Sequence, residues 1–234
     1  MTSTRRPTEK ELAYDRLGER FDTGLSSYDT ARRVEVLVDQ FLGPARLRGR
    51  KTIDVGCGLG YFSERAFAHG ADVLATDIGP TLVERTTARV GCKGQVADAL
   101  RLEETFGAGA FDVVVSSECV EHTPDPEEAI RQLCRLVAPG GYLSMSTPNV
   151  LWYPVVRLAT ILRLRPFDGH ENFSTWGKLR RIVRSEGLVV ESEIGLHLFP
   201  FQFRAHGLSR FLDTHAQGLR SAMINLCILA HRPA

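Results

Sequence analysis

The segment TIDVGCGLGYFSERAFAHGADVLATD, Thr52 to Asp77, constrains the fold more than any other part of the chain. Its β-branched and apolar start, Thr52, Ile53 and Val55, suits a strand buried on both faces, and Gly56, Gly58 and Gly60 follow at once. A helical pattern then runs from Tyr61 to His69, and Val73, Leu74 and Ala75 form a second short strand. Parallel strands need a crossover, and this helix supplies it. The unit is therefore βαβ, the building element of a parallel sheet.

A turn without Cβ atoms lets backbone N–H groups and the following helix N-terminus approach a ligand closely. Asp77, at the carboxyl end of the second strand, is placed to accept hydrogen bonds from two ribose hydroxyls. A dinucleotide fingerprint reads G-x-G-x-x-G, and here its third glycine position holds Tyr61, which argues against NAD and against hydride transfer. An ordinary βαβ turn with glycines for packing alone leaves the carboxylates at both ends, Asp54 and Asp77, without a purpose. The order Asp54, Gly56, Gly58, Gly60 resembles instead the first motif of the class I S-adenosylmethionine (SAM) methyltransferases.

The alternation continues past Asp77 with no linker or repeat. Thr81 to Val90 reads as a helix, Gln95 to Ala97 as a short strand delivering Asp98, and Phe111 to Val115 as a fourth strand. Pro126 to Val137 is a helix ended by Ala-Pro-Gly-Gly, Tyr142 to Ser146 a fifth strand, Leu188 to Glu193 a sixth and Asn225 to His231 a seventh. This pattern predicts an α/β fold with a doubly wound, mainly parallel seven-stranded sheet, Rossmann-like as in class I methyltransferases. Ligands of such sheets bind outside the carboxyl ends of the strands. Asp54, Asp77, Asp98 and the segment Ser116 to Glu118 are thereby expected around one crevice.

The chain has 234 residues and 43% hydrophobic content, enough for one sizeable core, so a single domain over 1–234 is expected. Within it, 1–50 would be an N-terminal helical cover, 51–149 the cofactor-binding core, and 150–172 and 195–222 cover segments over the substrate. In the first of these, Tyr14 to Phe21 has weak helical periodicity, and Ala31 to Leu42 a clearer one with Val34, Leu37, Val38 and Phe41 on one face. A net charge of +1 argues against nucleic acid as a partner. Five cysteines without a C-x-x-C pair, no apolar signal core and no run of about 20 apolar residues point to a reduced, cytoplasmic protein.

The resemblance extends to individual residues. It implies that Arg33 holds the SAM carboxylate, that Asp98 bonds the adenine amino group with Ile78 packed on the ring, and that Ala99 and Ser117 also line the cofactor site. The segment SSECVEHTPDPEEAIRQLCRLVAPGGYLSMSTPN, Ser116 to Asn149, and the later GHENF, Gly169 to Phe173, resemble the O-methyltransferases of ubiquinone biosynthesis. Glu118, Glu121 and His122, joined by His170, are of the types that bind a divalent cation such as Mg²⁺ if a loop presents them together. A cation there would bind two neighbouring acceptor oxygens and favour the nucleophilic one. Without a metal, His122 or His170 is the candidate general base, with Glu121 beside it. In the plainer alternative His122 caps the helix that follows.

The cover should decide the acceptor. Val150 to Leu164, with Trp152, Tyr153 and flanking arginines, reads as a helix lining an aromatic pocket, or as a peripheral membrane contact. Gly195 to Ala222 places about thirty residues where class I methyltransferases usually have a tight hairpin. It carries Phe199, Phe201, Phe203 and Phe211 with His197, His206 and His215. Such an insertion suits a lid or a homodimer contact, and each of its histidines is expected at the surface. The leading reading is transfer of a methyl group to oxygen of a small phenol, catechol or polyol. Transfer to nitrogen, carbon or the 2′-oxygen of an RNA terminus, or a SAM-binding interaction protein without catalysis, are the alternatives.

Overall fold

A computed structural model describes residues 27–161, 172–199 and 205–234. The expected helix at Tyr14 to Phe21, and His170, Phe201 and Phe203, lie outside the described residues. The strands are β1 (Lys51–Val55), β2 (Asp72–Asp77), β3 (Lys93–Val96), β4 (Phe111–Ser117), β5 (Val137–Pro148), β6 (Val189–Leu196) and β7 (Asn225–His231), in the order β3-β2-β1-β4-β5-β7-β6. β1 pairs in parallel with β2 and β4, β3 with β2, and β5 with β4, whereas β7 is antiparallel to both neighbours. This is the doubly wound, mainly parallel seven-stranded sheet that the sequence predicts. Three strands run further than their apolar stretches suggest. β4 reaches Ser117, β5 reaches Pro148 and β6 reaches Leu196, because ladder hydrogen bonds with β5 and β7 carry them on.

Side chains alternate between two packed faces. On one face Ile53, Val114, Leu143, Met145 and Ile228 meet Ile130 and Leu133 from a helix at Pro126–Leu136, and Leu179 and Ile182 from a helix at Trp176–Ser185. On the other, Val73, Val113, Val115 and Leu229 meet Phe62 and Ala66 from a helix at Tyr61–Ala68 and the N-terminal residues Val36, Leu37, Val38 and Phe41. Numbered in chain order, the helices are α1 (Ser27–Val34), α2 (Gly43–Leu47), α3 (Tyr61–Ala68), α4 (Pro80–Val90), α5 (Leu102–Phe106), α6 (Pro126–Leu136), α7 (Tyr153–Ile161), α8 (Trp176–Ser185) and α9 (His206–His215).

The N-terminal segment packs on the sheet itself. After α1 a π-helical turn, Glu35–Gln40, presents the apolar stripe that the sequence places on one helix face. The Leu37 carbonyl accepts a hydrogen bond from Ser144 Oγ of β5 at 2.8 Å. That bond and the buried Leu37 and Val38 fix α1 so that its last turn reaches the carboxyl edge of the sheet. The cap of α6 is Asp125, whose carboxylate accepts from the Glu128 N–H at 3.0 Å. His122 does not fill that role.

Asn149, just past β5, ties the sheet to the insertion between β6 and β7. Its amide donates to the Ser221 and Met223 carbonyls, each at 2.8 Å, and its oxygen accepts from the Leu151 N–H at 3.2 Å. The side chain is buried, so its removal leaves backbone groups without partners. Asn149→Ala should therefore lower stability by about 2–4 kcal/mol, measured as the shift in urea unfolding free energy.

Candidate cofactor and active site

Sheet order reverses between β1 and β4, so the crevice opens beyond the carboxyl ends of these strands. Gly56, Gly58 and Gly60 cross that edge with φ of 75°, 48° and 79°, a backbone region that L-residues avoid. They need glycine for different reasons. A Cβ on Gly56 would lie 2.5 Å from Cys119 Sγ, and one on Gly60 would lie 2.7 Å from the Thr86 methyl. A Cβ on Gly58 meets nothing within 4 Å, so that side of the turn is open. Thr86 of α4 donates from Oγ1 to the Gly58 carbonyl at 3.0 Å and holds the turn from behind.

Asp77 ends β2 against this turn. Its Oδ2 accepts from the Gly58 N–H and its Oδ1 from the Gly79 N–H, both at 3.0 Å, which sets the carboxylate plane before any ligand arrives. Asp98 stands at the next strand end, Oδ1 accepting from the Leu100 N–H at 3.0 Å, with Ile78 half-buried and Ala99 buried beside it. Asp54 has a different position. It is buried beneath the turn and accepts from Ser63 Oγ of α3 at 2.6 Å, so it reaches the crevice only through the loop it braces. Burial pushes its carboxyl up to about 6, with the Ser63 hydrogen bonds opposing and the Asp77 charge adding to the rise.

At the β4 end lies a buried polar network that the sequence reveals only in part. The Arg33 guanidinium clamps Asp29 through Nε and Nη2, the latter at 2.8 Å, and donates from Nη1 to Ser117 Oγ at 2.6 Å. Ser117 in turn shares a 2.9 Å hydrogen bond with Ser146 Oγ. Glu118 follows in a left-handed conformation, φ 49°, and its Oε1 accepts from Ser146 Oγ at 2.9 Å. Burial raises the Glu118 pKa and the Arg33 charge opposes the rise. Desolvation works against the Asp29 carboxylate too, yet Arg33 and His197 outweigh it and hold that group well below the usual range.

Two expectations change here. His197 is not at the surface: it is fully buried, and its Nε2 donates to Asp29 Oδ1 at 2.9 Å. Asp29 lies one helical turn from Arg33, a spacing visible in the sequence, but nothing there links either residue to a histidine more than a hundred residues away. The proposed metal set also divides. Glu118 turns toward Ser146 and Arg33, while Glu121 is buried with its Oε1 4.0 Å from His122 Nε2. Among the described residues no three carboxylate, imidazole or thiol groups converge as a metal site requires. The Asn172 N–H donates to the Glu121 carbonyl at 2.9 Å and its amide to the Thr123 carbonyl at 3.1 Å, docking the end of the GHENF segment on this turn. All five cysteines are unpaired, and burial pushes the Cys57 and Cys119 thiols up, which keeps them unreactive.

A methyltransferase-domain family model matches residues 28–193. The chain belongs to that family. It is a SAM-dependent methyltransferase. Proteins named ubiquinone biosynthesis O-methyltransferase are similar: one from Xanthomonas oryzae is 35% identical over 177 residues, 70% of this chain and 73% of that one. Another, from Acinetobacter baylyi, is 34% identical over 168 residues, 66% of this chain and 69% of its own. In fold, the methyltransferase resembles magnesium protoporphyrin IX methyltransferase from Synechocystis, solved with bound SAH (TM-score 0.62, 17% identity, 99% of this chain and 90% of that one). It also resembles a sarcosine dimethylglycine methyltransferase homologue from Galdieria sulphuraria (TM-score 0.65, 14% identity, 94% of this chain and 98% of that one). No helix among the described residues is long and apolar enough to cross a membrane. In the described part of 150–164, Leu151, Tyr153, Val155 and Leu158 are exposed, so this stretch presents an apolar surface to its surroundings.

Two variants of the glycine turn should separate its functions. Gly58→Ala should cost about 1 kcal/mol of stability from backbone strain, yet weaken S-adenosylhomocysteine binding at least tenfold by calorimetry, because the methyl enters the crevice. Gly60→Ala should cost more stability than Gly58→Ala, because its methyl strikes Thr86.

Asp54 gives a pH test. The folded chain binds this proton more tightly than the unfolded chain, so ionising it costs stability as pH rises between the ordinary 3.8 and about 6. Asp54→Asn keeps the acceptor for Ser63 and removes that cost. In urea unfolding, the variant's stability relative to wild type should therefore be highest near neutral pH and should decline on acidification through this window.

Proposed function

We propose that the enzyme moves the SAM methyl to an oxygen of a small phenol- or catechol-type acceptor. The observation carrying this reading is the 35% identity over 70% of the chain to proteins named for O-methylation. In the proposed arrangement Asp77 takes the two ribose hydroxyls and Asp98 the adenine amino group, with Ile78 and Ala99 flanking the ring. Gly56, Gly58 and Gly60 admit the cofactor to the backbone, and Arg33 with Ser117 receives its amino-acid end. The cleft has the chemistry this requires, because Asp77 and Asp98 offer acceptors at successive strand ends and the Gly58 side is open.

When bound, SAM supplies an electrophilic methyl on a sulfonium. The protein's work is to align the acceptor, exclude water and take a proton from the acceptor hydroxyl. His122, on the turn after β4, is the proposed base, with Glu121 beside it. A divalent cation held by Glu118, Glu121, His122 and His170 rests on the family resemblance. Among the described residues no three of these groups converge.

Radiolabelled methyl transfer to a panel of phenols, catechols, polyols, amines and short RNAs tests the reading. Label should enter catechols or phenols, and label only in amines, RNA or no acceptor overturns oxygen transfer to that class. Asp77→Ala should abolish transfer by removing the ribose contacts, with a loss of S-adenosylhomocysteine affinity of at least tenfold. EDTA should leave the rate within twofold, and a loss restored by Mg²⁺ would instead assign a metal to the Glu121 and His122 turn.

A further inference from the structure

His197 follows the last residue of β6 and has φ of 64°, a left-handed conformation that a residue with a Cβ rarely adopts. Two backbone bonds hold it there. The N–H groups of His197 and Leu198 both donate to Asp213 Oδ1 of α9, at 2.9 and 3.1 Å. The ring is thus fixed from the insertion and aimed back under the sheet edge, where Nε2 meets Asp29. Asp213 and His197 are fully buried in side chain and Asp29 is nearly so, so this chain of polar groups is shielded from water. Strained backbone of this kind persists where the surroundings enforce it.

The far end of the chain is Arg33. Asp29 takes the Nε edge of its fork, and Ser117 takes one Nη1 hydrogen. Two of the five N–H bonds of Arg33 remain without a partner among the described residues, at the end of β4 that borders the crevice. A guanidinium reads a carboxylate through the plane of its fork, and Asp29 sets that plane.

We propose that His197 is a positioning residue for cofactor binding: locked by Asp213, it holds Asp29 and through it orients the Arg33 guanidinium toward the carboxylate of the cofactor's amino-acid end. The inference rests on the reading that Arg33 receives that end. Arg33 makes the contact, and the β6–β7 insertion, through His197, decides how well it is aimed. Ser209 completes the setting, 3.5 Å from His197 Nδ1.

Two ligands that differ only in the amino-acid end test this. S-adenosylhomocysteine carries it, whereas 5′-deoxy-5′-methylthioadenosine keeps the adenine, ribose and sulfur without it. Calorimetric affinities of both are measured for wild type, His197→Ala and His197→Gln. Expected is at least a tenfold loss for S-adenosylhomocysteine in His197→Ala, with less than a twofold change for methylthioadenosine. His197→Gln, whose amide can donate at the Nε2 position, should recover most of the loss. Parallel losses for both ligands would assign His197 a structural role alone, and unchanged S-adenosylhomocysteine affinity would remove it from cofactor binding; either result overturns the proposal. If His197→Ala does not fold, Asp29→Asn takes its place under the same criterion. An Arg33→Ala chain that keeps full S-adenosylhomocysteine affinity overturns the reading of Arg33 itself, independently of His197.

Discussion

The carboxyl edge of this sheet depends on a backbone that turns where only glycine turns cheaply. With φ positive at Gly56, Gly58 and Gly60, the chain leaves β1 sharply enough to start α3 directly above the strand end. The space freed at Gly56 and at Gly60 is used. Cys119 closes under Gly56 and joins the β1 turn to the segment after β4, and Thr86 closes under Gly60 and joins it to α4. Asp77 then draws the Gly58 amide toward β2. The turn is packed from three sides and open on the fourth, so its N–H groups are fixed in direction before a ligand binds. Preorganisation of this kind lowers the entropic cost of binding.

Charge is arranged on the opposite principle. At the β4 end, Asp29, Arg33 and Glu118 are withdrawn from water together; the Arg33 charge favours both carboxylates, and both carboxylates raise the proton affinity of Arg33. Burying such groups is expensive, and a paired, buried ion set contributes little net stability compared with an apolar one of equal volume. What the arrangement does give is direction. A guanidinium anchored on two sides has few orientations left, and the anchoring comes from three separate stretches of chain: α1, the end of β4 and the turn after β6. The helix α1 and the insertion between β6 and β7 meet here, with the Tyr28 ring stacked on His206 at 4.1 Å between centroids.

The βαβ unit and the alternation after it are legible in the sequence because they are local. Hydrophobic run, glycine turn and helix period lie within about thirty residues, so the pattern is complete before any distant contact is needed. Asp77 and Asp98 are legible for the same reason, since one closes β2 and the other follows β3 within two residues. Asp54 carries the same signal and sits beneath the loop, because the alternation of a strand buried on both faces does not say which polar side chain points outward. His197 was invisible for a different reason. Its burial depends on a left-handed residue and on Asp213 sixteen positions later, neither of which leaves a periodic trace. Glu118, Glu121 and His122 are close in the sequence, but Glu118 is a left-handed residue whose carboxylate is taken up by Ser146.

The antiparallel strand β7 has a consequence for how the chain assembles. It lies between β5 and β6, although it is formed from residues 225–231 and β6 from 189–196. The half of the sheet that carries the glycine turn is complete once β4 has been made, and its contacts are short in sequence. The other half cannot close at that stage: β5 has an open edge and β6 has no neighbour until β7 is inserted between them. A polypeptide emerging from the ribosome therefore holds a nearly finished nucleotide-binding half beside an exposed, apolar strand edge. An unpaired apolar strand edge is a template for pairing with other chains, so that interval is when strand-edge aggregation has its opening.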